Sequence, residues 1–280
     1  MPPQPNNLPP PFISIRKHIR RIPSPAEEPT STLVLTSSKG HFVDIRVLKS
    51  AFSPTATETA IHPTCSPKVL DWAFCGTSTT TELGLPTASS PPADQSSGEE
   101  CRHTVWTHWL DTASEEPESD EGDMYTLPDG DVLEKGFNPK DDGGREEYEE
   151  LWGDEDARAT GTEQEQDQEG DGKRVCVVLR MEGVEEDKVS GTVGRKGMIV
   201  RVGGWVQGIL KEDGGFTVER WKWVEEKGEW ENVVKLGMGE MPCGVTFNMH
   251  FTGEGAYKDL DAQLSDSASS KWTVLEAFQW

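Results

Sequence analysis

His41-Phe42-Val43-Asp44-Ile45-Arg46-Val47-Leu48-Lys49 is the stretch on which the fold turns. Val43, Ile45 and Val47 fall on one side of an extended chain, and Asp44 and Arg46 on the other. A period of two predicts a half-buried strand. Working backwards, Ser38-Lys39-Gly40 supplies a turn, and Thr32 to Thr36 is a short β-branched run that reads as its partner. Phe12 to Arg16 also alternates. Working forwards, Leu70, Trp72 and Phe74 alternate with Asp71, Ala73 and Cys75, and Thr104 to Asp111 does the same. Met124 to Leu127, Pro128-Asp129-Gly130 and Asp131 to Phe137 read as a hairpin.

Glu146 to Trp152 is the exception, since Tyr148, Leu151 and Trp152 stand at i, i+3 and i+4. That spacing predicts a short helix closing a first domain. Beyond it, residues 154–172 contain no aliphatic side chain larger than Ala, the composition of a linker. From Lys173 onward the strand pattern resumes. Val175 to Leu179, Lys196 to Val202, Trp205 to Lys211, Phe216 to Val224, Glu229 to Leu236, Cys243 to Phe251 and Trp272 to Phe278 are separated by Gly-rich turns. Strands of this length and spacing predict antiparallel barrels or sandwiches.

The expected fold is therefore all-β with little helix: two tandem antiparallel β-barrel domains. Their bounds are a disordered tail over 1–12, a first barrel over 13–152, an acidic linker over 153–172 and a second barrel over 173–280. Mobile loops are expected near 86–100 and 112–122. Nine of the 19 prolines fall in residues 1–29, which limits regular structure there.

The net charge of −23 is concentrated. Residues 111–171 hold 24 Asp/Glu against four Lys/Arg. Such a block repels nucleic acid and anionic membrane, so neither is an expected partner. Met1 to Pro11 has no apolar core of a signal peptide, and no run approaches a membrane span. Five scattered cysteines fit a reducing compartment.

Several strings resemble the fungal Hri family. They are TSTLVLTSSKGHFVDIRVLK (Thr30 to Lys49), LDWAFCGTS (Leu70 to Ser78), THWLD (Thr107 to Asp111), GDVLEKG (Gly130 to Gly136), YEELW (Tyr148 to Trp152), VVLRMEG (Val177 to Gly183), GMIVRVGGWVQGIL (Gly197 to Leu210) and VERW (Val218 to Trp221). The resemblance spans about residues 13–280. It implies two lipocalin-like barrels, physical interaction with a casein-kinase-1-type protein kinase, and cytoplasmic and nuclear placement. It carries over no catalytic, cofactor-binding or metal-ligating residue.

The residues themselves agree on that last point. His103 and His108, five apart on one strand, point to opposite faces and do not chelate together. Gly191, Gly194 and Gly197 lack the spacing and following helix of a dinucleotide site, and Asp129-Gly130-Asp131 lacks the remaining calcium ligands. Carboxylates abound, but none is singled out as an acid or base. The chain is accordingly read as a non-enzymatic adaptor that binds the kinase. Ser114 and Ser119 lie among Glu and Asp in Thr112 to Glu121 and are candidate phosphorylation sites; the plainer reading is a solvated acidic loop. The alternative function is a lipocalin-like binder of a small apolar ligand, since a barrel of about eight strands can enclose one. Among Trp72, Trp106, Trp109, Trp205, Trp221 and Trp223, the last two share a strand face. They are the candidate apolar ligand or partner surface, against ordinary strand-face packing.

Overall fold

The Ser38-Lys39-Gly40 turn joins two strands in register, Leu33 opposite Ile45 and Leu35 opposite Val43. Gly40 takes φ +79°, a left-handed conformation that an L side chain adopts only under strain. This hairpin begins an antiparallel meander seen in a computed structural model that describes residues 8–52, 67–83, 101–140, 143–160, 174–182, 194–212, 215–247 and 272–280. The meander comprises β1 (Phe12–Arg21), β2 (Thr30–Thr36), β3 (His41–Leu48), β4 (Leu70–Glu82), β5 (Cys101–Asp111), β6 (Ser119–Thr126), β7 (Val132–Pro139) and β8 (Arg145–Glu155). Each strand pairs with the next and β8 returns to β1, closing an eight-stranded up-and-down barrel.

The second unit comprises β9 (Val175–Glu182), β10 (Lys196–Val202), β11 (Trp205–Glu212), β12 (Gly215–Val224), β13 (Glu229–Leu236) and β14 (Trp272–Gln279). Among the described residues it is an open sheet in the order β13-β12-β11-β10-β9-β14, in place of the second barrel expected. An open sheet must bury a face on something else. Val178, Val200, Ile209, Val218 and Val234 share one core with Leu33, Leu35, Val43 and Ile45. The sheet thus lies on the outer wall of the barrel. Each such side chain contributes about 1.5–3 kcal/mol when fully buried. Gln207 is wholly buried in this junction, donating from Nε2 to the carbonyls of Leu33 and Val43 at 2.9 Å each. Its Oε1 accepts from Arg220 Nε at 2.8 Å, and Arg220 also donates to the carbonyl of Ile45.

Some boundaries differ from the expectation. Glu146 to Trp152 is strand β8, with no helix: Tyr148, Glu150 and Trp152 alternate inward, and Arg16 supplies the charge that makes an inward Glu150 tolerable. β8 also extends through Gly153 to Glu155, beyond the expected start of the linker, and Phe12 already belongs to β1. The 112–122 loop is shorter than expected, because Ser119 to Gly122 pair with Thr104 to Thr107. Residues 1–7 of the tail, the 86–100 loop, linker residues 161–172 and Gly191 lie outside the described residues. Helix among the described residues is limited to short 3-10 turns at Lys49–Ala51, Pro67–Val69 and Cys243–Thr246, and no helix there is long and apolar enough to cross a membrane.

Candidate functional site

Because successive side chains on a strand alternate, every barrel strand sends half of its residues into the lumen. From β3 these are Phe42, Asp44 and Arg46, while Val43, Ile45 and Val47 face outward to the second sheet. The polar face of the strand is therefore the inner one. Burying charge demands partners, and the lower half of the lumen supplies them. Arg16 Nε donates to Glu28 at 2.8 Å and Arg16 Nη1 to Glu150 at 2.5 Å. Arg46 donates to Asp44 Oδ2 at 2.8 and 3.0 Å and reaches Glu150 at 3.4 Å. The result is a continuous chain, Glu28–Arg16–Glu150–Arg46–Asp44. Burial works against the charge on Arg46, but Asp44 and Glu150 outweigh it and raise its pKa. Burial likewise opposes the charge on Glu28, yet hydrogen bonds from Arg16 and Thr30 hold it below the ordinary carboxylate range.

Beside this chain, Asp111 accepts from Trp72 Nε1 at 2.8 Å and pairs with His108 Nδ1 at 3.0 Å. The His108 ring stacks on Phe74 with centroids 4.2 Å apart. On the opposite wall Glu134 accepts from Tyr148 Oη at 2.8 Å and from Trp152 Nε1 at 2.9 Å. Its burial, and then the nearby Glu150, push its pKa up to about 8. Burial raises Asp120 as well.

Above this polar floor the lumen is open. A cavity of about 270 Å³ is lined by Phe42, Phe74, Trp106, Met124 and Trp152, together with Asp44, Arg46, Asp120, Glu134, Arg102 and the exposed Asp154. That volume lies just below the range of about 300–1,000 Å³ spanned by drug-sized ligand pockets, which suits a smaller molecule. Asp44 Oδ1, His108 Nε2 and Arg102 Nε are buried without a hydrogen-bond partner. Asp44 is 2% exposed. Such orphans inside a protein are uncommon and mark places where a water, ion or ligand supplies the missing partner.

Glu134 and Asp120 are two carboxylates of raised pKa on one cavity, which is the arrangement acid–base chemistry would use. Both oxygens of Glu134 are, however, committed to Tyr148 and Trp152. Among the described residues no group of three or more His, Cys, Asp or Glu is placed to hold a metal ion. His103 does lie apart from His108, pairing with Asp123 at 2.8 Å.

The residues singled out from sequence are scattered. Ser114 and Ser119 are both exposed, Ser114 in the β5–β6 connection and Ser119 at the first position of β6. Trp221 and Trp223 share the face of β12 that points away from the barrel. Trp221 packs edge-on to Phe247, with centroids 5.1 Å apart, and Trp223 packs on Trp230 at 5.9 Å. Both are half-buried in a local aromatic cluster outside the lumen. Of the tryptophans considered, Trp106 reaches the cavity, Trp72 closes the floor, and Trp109 and Trp205 pack in the junction. The lumen acids and arginines escaped the sequence reading. The signal for them was present in β3, where Asp44 and Arg46 occupy every second position between apolar ones.

The fold has known counterparts. The model of the family described as "Protein HRI1" matches residues 12–276. The crystal structure of the uncharacterized protein YLR301w from Saccharomyces cerevisiae superposes with a TM-score of 0.62 at 17% identity, covering 96% of this chain and 99% of that one. At that identity the likeness is one of fold. No match is found among curated proteins.

Proposed function

Since the chain belongs to the HRI1 family, and its N-terminal half is a closed barrel, we propose that it is a non-enzymatic binding protein whose barrel lumen holds one small, largely apolar ligand. In this reading the lipocalin-like character implied by the family resemblance resides in the closed barrel. The observation that carries it is the cavity of about 270 Å³ above a filled polar floor. An eight-stranded barrel has an interior just wide enough to be packed solid or to hold one small molecule, and here a cavity remains beside the packed ion pairs. The aromatic walls offer the burial, and the polar side chains among the lining offer orientation. The test is native mass spectrometry of the full-length protein from cells, alongside Ser78→Trp, which places an indole in the cavity. A defined adduct on the wild type that the variant lacks supports the reading. A bare wild-type mass, with no thermal shift against a small-molecule library, would falsify it.

A second reading is an adaptor for a casein-kinase-1-type protein kinase in cytoplasm and nucleus. Its support is the exposed acidic edge, where Ser114 and Ser119 lie among Glu115, Glu116, Glu118 and Glu121. Affinity purification with and without phosphatase, read by mass spectrometry, tests it. Repeated failure to recover such a kinase removes this reading.

A further inference from the structure

If the barrel lumen is the ligand site proposed for it, its chemistry specifies more about the ligand than size. Its base is rich in carboxylates. Asp44, Asp120, Glu134, Glu150 and Glu28 face Arg16 and Arg46 inside the barrel, with Arg220 close to Asp44 from behind the wall. Both inner arginines are already engaged, Arg16 with Glu28 and Glu150, and Arg46 with Asp44 and Glu150. Asp44 spends Oδ2 on Arg46, its Oδ1 is buried without a hydrogen-bond partner, and the residue lines the cavity. Arg102 and the exposed Asp154 bring opposite charges to the same lining. The surplus is therefore negative and deep, and it lies below a sleeve of Phe42, Phe74, Trp106 and Trp152.

We infer that the lumen takes a small organic cation, an amine on an aromatic or aliphatic body, with its ammonium toward the carboxyl groups of Asp44 and Asp120 and its body against the aromatic walls. An ammonium has three donors and no acceptor, which suits a lining rich in carboxyl groups. Its charge offsets the acid surplus, and ring faces attract cations at close range. A neutral hydroxyl would not offset the charge. A carboxylate would meet Asp44, Asp120 and Glu134, with Arg46 already engaged and Arg102 left as its cation.

The protonation of the base agrees with this geometry. Glu134 faces Glu150, Tyr148 and Trp152 from β8, Asp120 from β6 and Arg46 from β3. Burial and Glu150 favour its protonated form, and Asp120 is raised in the same direction. A bound ammonium supplies the compensating charge, so these groups shed protons as it binds.

The test is calorimetry on the full-length protein at about pH 7 with three probes of one ring system: tryptamine, indole and indole-3-acetate. Tryptamine is expected to bind about tenfold or more tightly than either, as a charge-assisted contact to a buried carboxylate allows. Its heat should differ between phosphate and Tris in the sense of proton release, whereas that of indole should not. Asp44→Asn should erase most of the preference for tryptamine while retaining indole binding. If that variant does not fold, the probe comparison on the wild type decides the matter. Tighter binding of indole-3-acetate, or equal binding of all three, overturns the inference and leaves the lumen reading standing. Binding of none overturns both.

Discussion

Glu134→Gln replaces a buried carboxyl by a neutral group of nearly the same shape, and its effect on stability should depend on pH in a direction the structure specifies. Glu134 is 4% exposed, and burial together with Glu150 pushes its pKa up to about 8 from an ordinary 4.5. The folded pKa is the higher one. Between the two values the folded chain holds a proton that the unfolded chain has released, so stability must fall as pH rises through that window. One proton corresponds to a slope of about 1.4 kcal/mol per pH unit, or about 2–3 kcal/mol between about pH 5.5 and 7.5. Gln carries no such proton and loses this component. It also keeps a carbonyl oxygen for Tyr148 or Trp152, so its fold is expected to survive. The assay is urea denaturation of wild type and variant at several pH values, comparing slopes so that the other titrating groups cancel. The variant should become relatively more stable as pH rises. Parallel pH profiles would show that Glu134 is ionised in the folded lumen at neutral pH and would sink the argument.

Two further outcomes are expected from the packing. Gln207→Leu leaves Arg220 Nε and two carbonyls of the barrel wall without their junction partner, at about 1–3 kcal/mol per unsatisfied group. Urea denaturation should show a loss of about 3 kcal/mol or more, and a loss below about 1 kcal/mol would mean that Gln207 does not hold the sheet to the barrel. Gly136→Ala would place a methyl 2.5 Å from the ring Cζ and Oη of Tyr148, an overpacking that costs about 1–3 kcal/mol. Its melting temperature should drop, and a value equal to wild type would show that Tyr148 has room to move off Glu134.

What the chain determines by itself is its local rhythm. The period of two at His41 to Lys49, the turn at Ser38 to Gly40 and the hairpin at Pro128 to Gly130 are written in neighbouring residues, because extended backbone places alternate side chains on opposite sides whatever surrounds it. The eight medium-length strings that place the chain in its family are legible in the same way. Sidedness and closure are not. Val43, Ile45 and Val47 suggest a core-facing stripe, yet in the folded chain they face outward against the second sheet, and Asp44 and Arg46 face the lumen. β3 is buried on both sides, and alternation cannot say which side a barrel encloses. Glu150 hides β8 behind a helical spacing because its inward charge is tolerated by Arg16, 134 residues away in sequence. Ser119 to Gly122 become strand because β5 is there to pair with them, in spite of a composition that suits a loop. Whether the second sheet remains open, and whether the barrel keeps a cavity lined by the Asp44–Arg46 pair, depends on groups that meet only when distant segments pack. Local spacing reports which side chains share a face, and only the tertiary structure decides what that face meets.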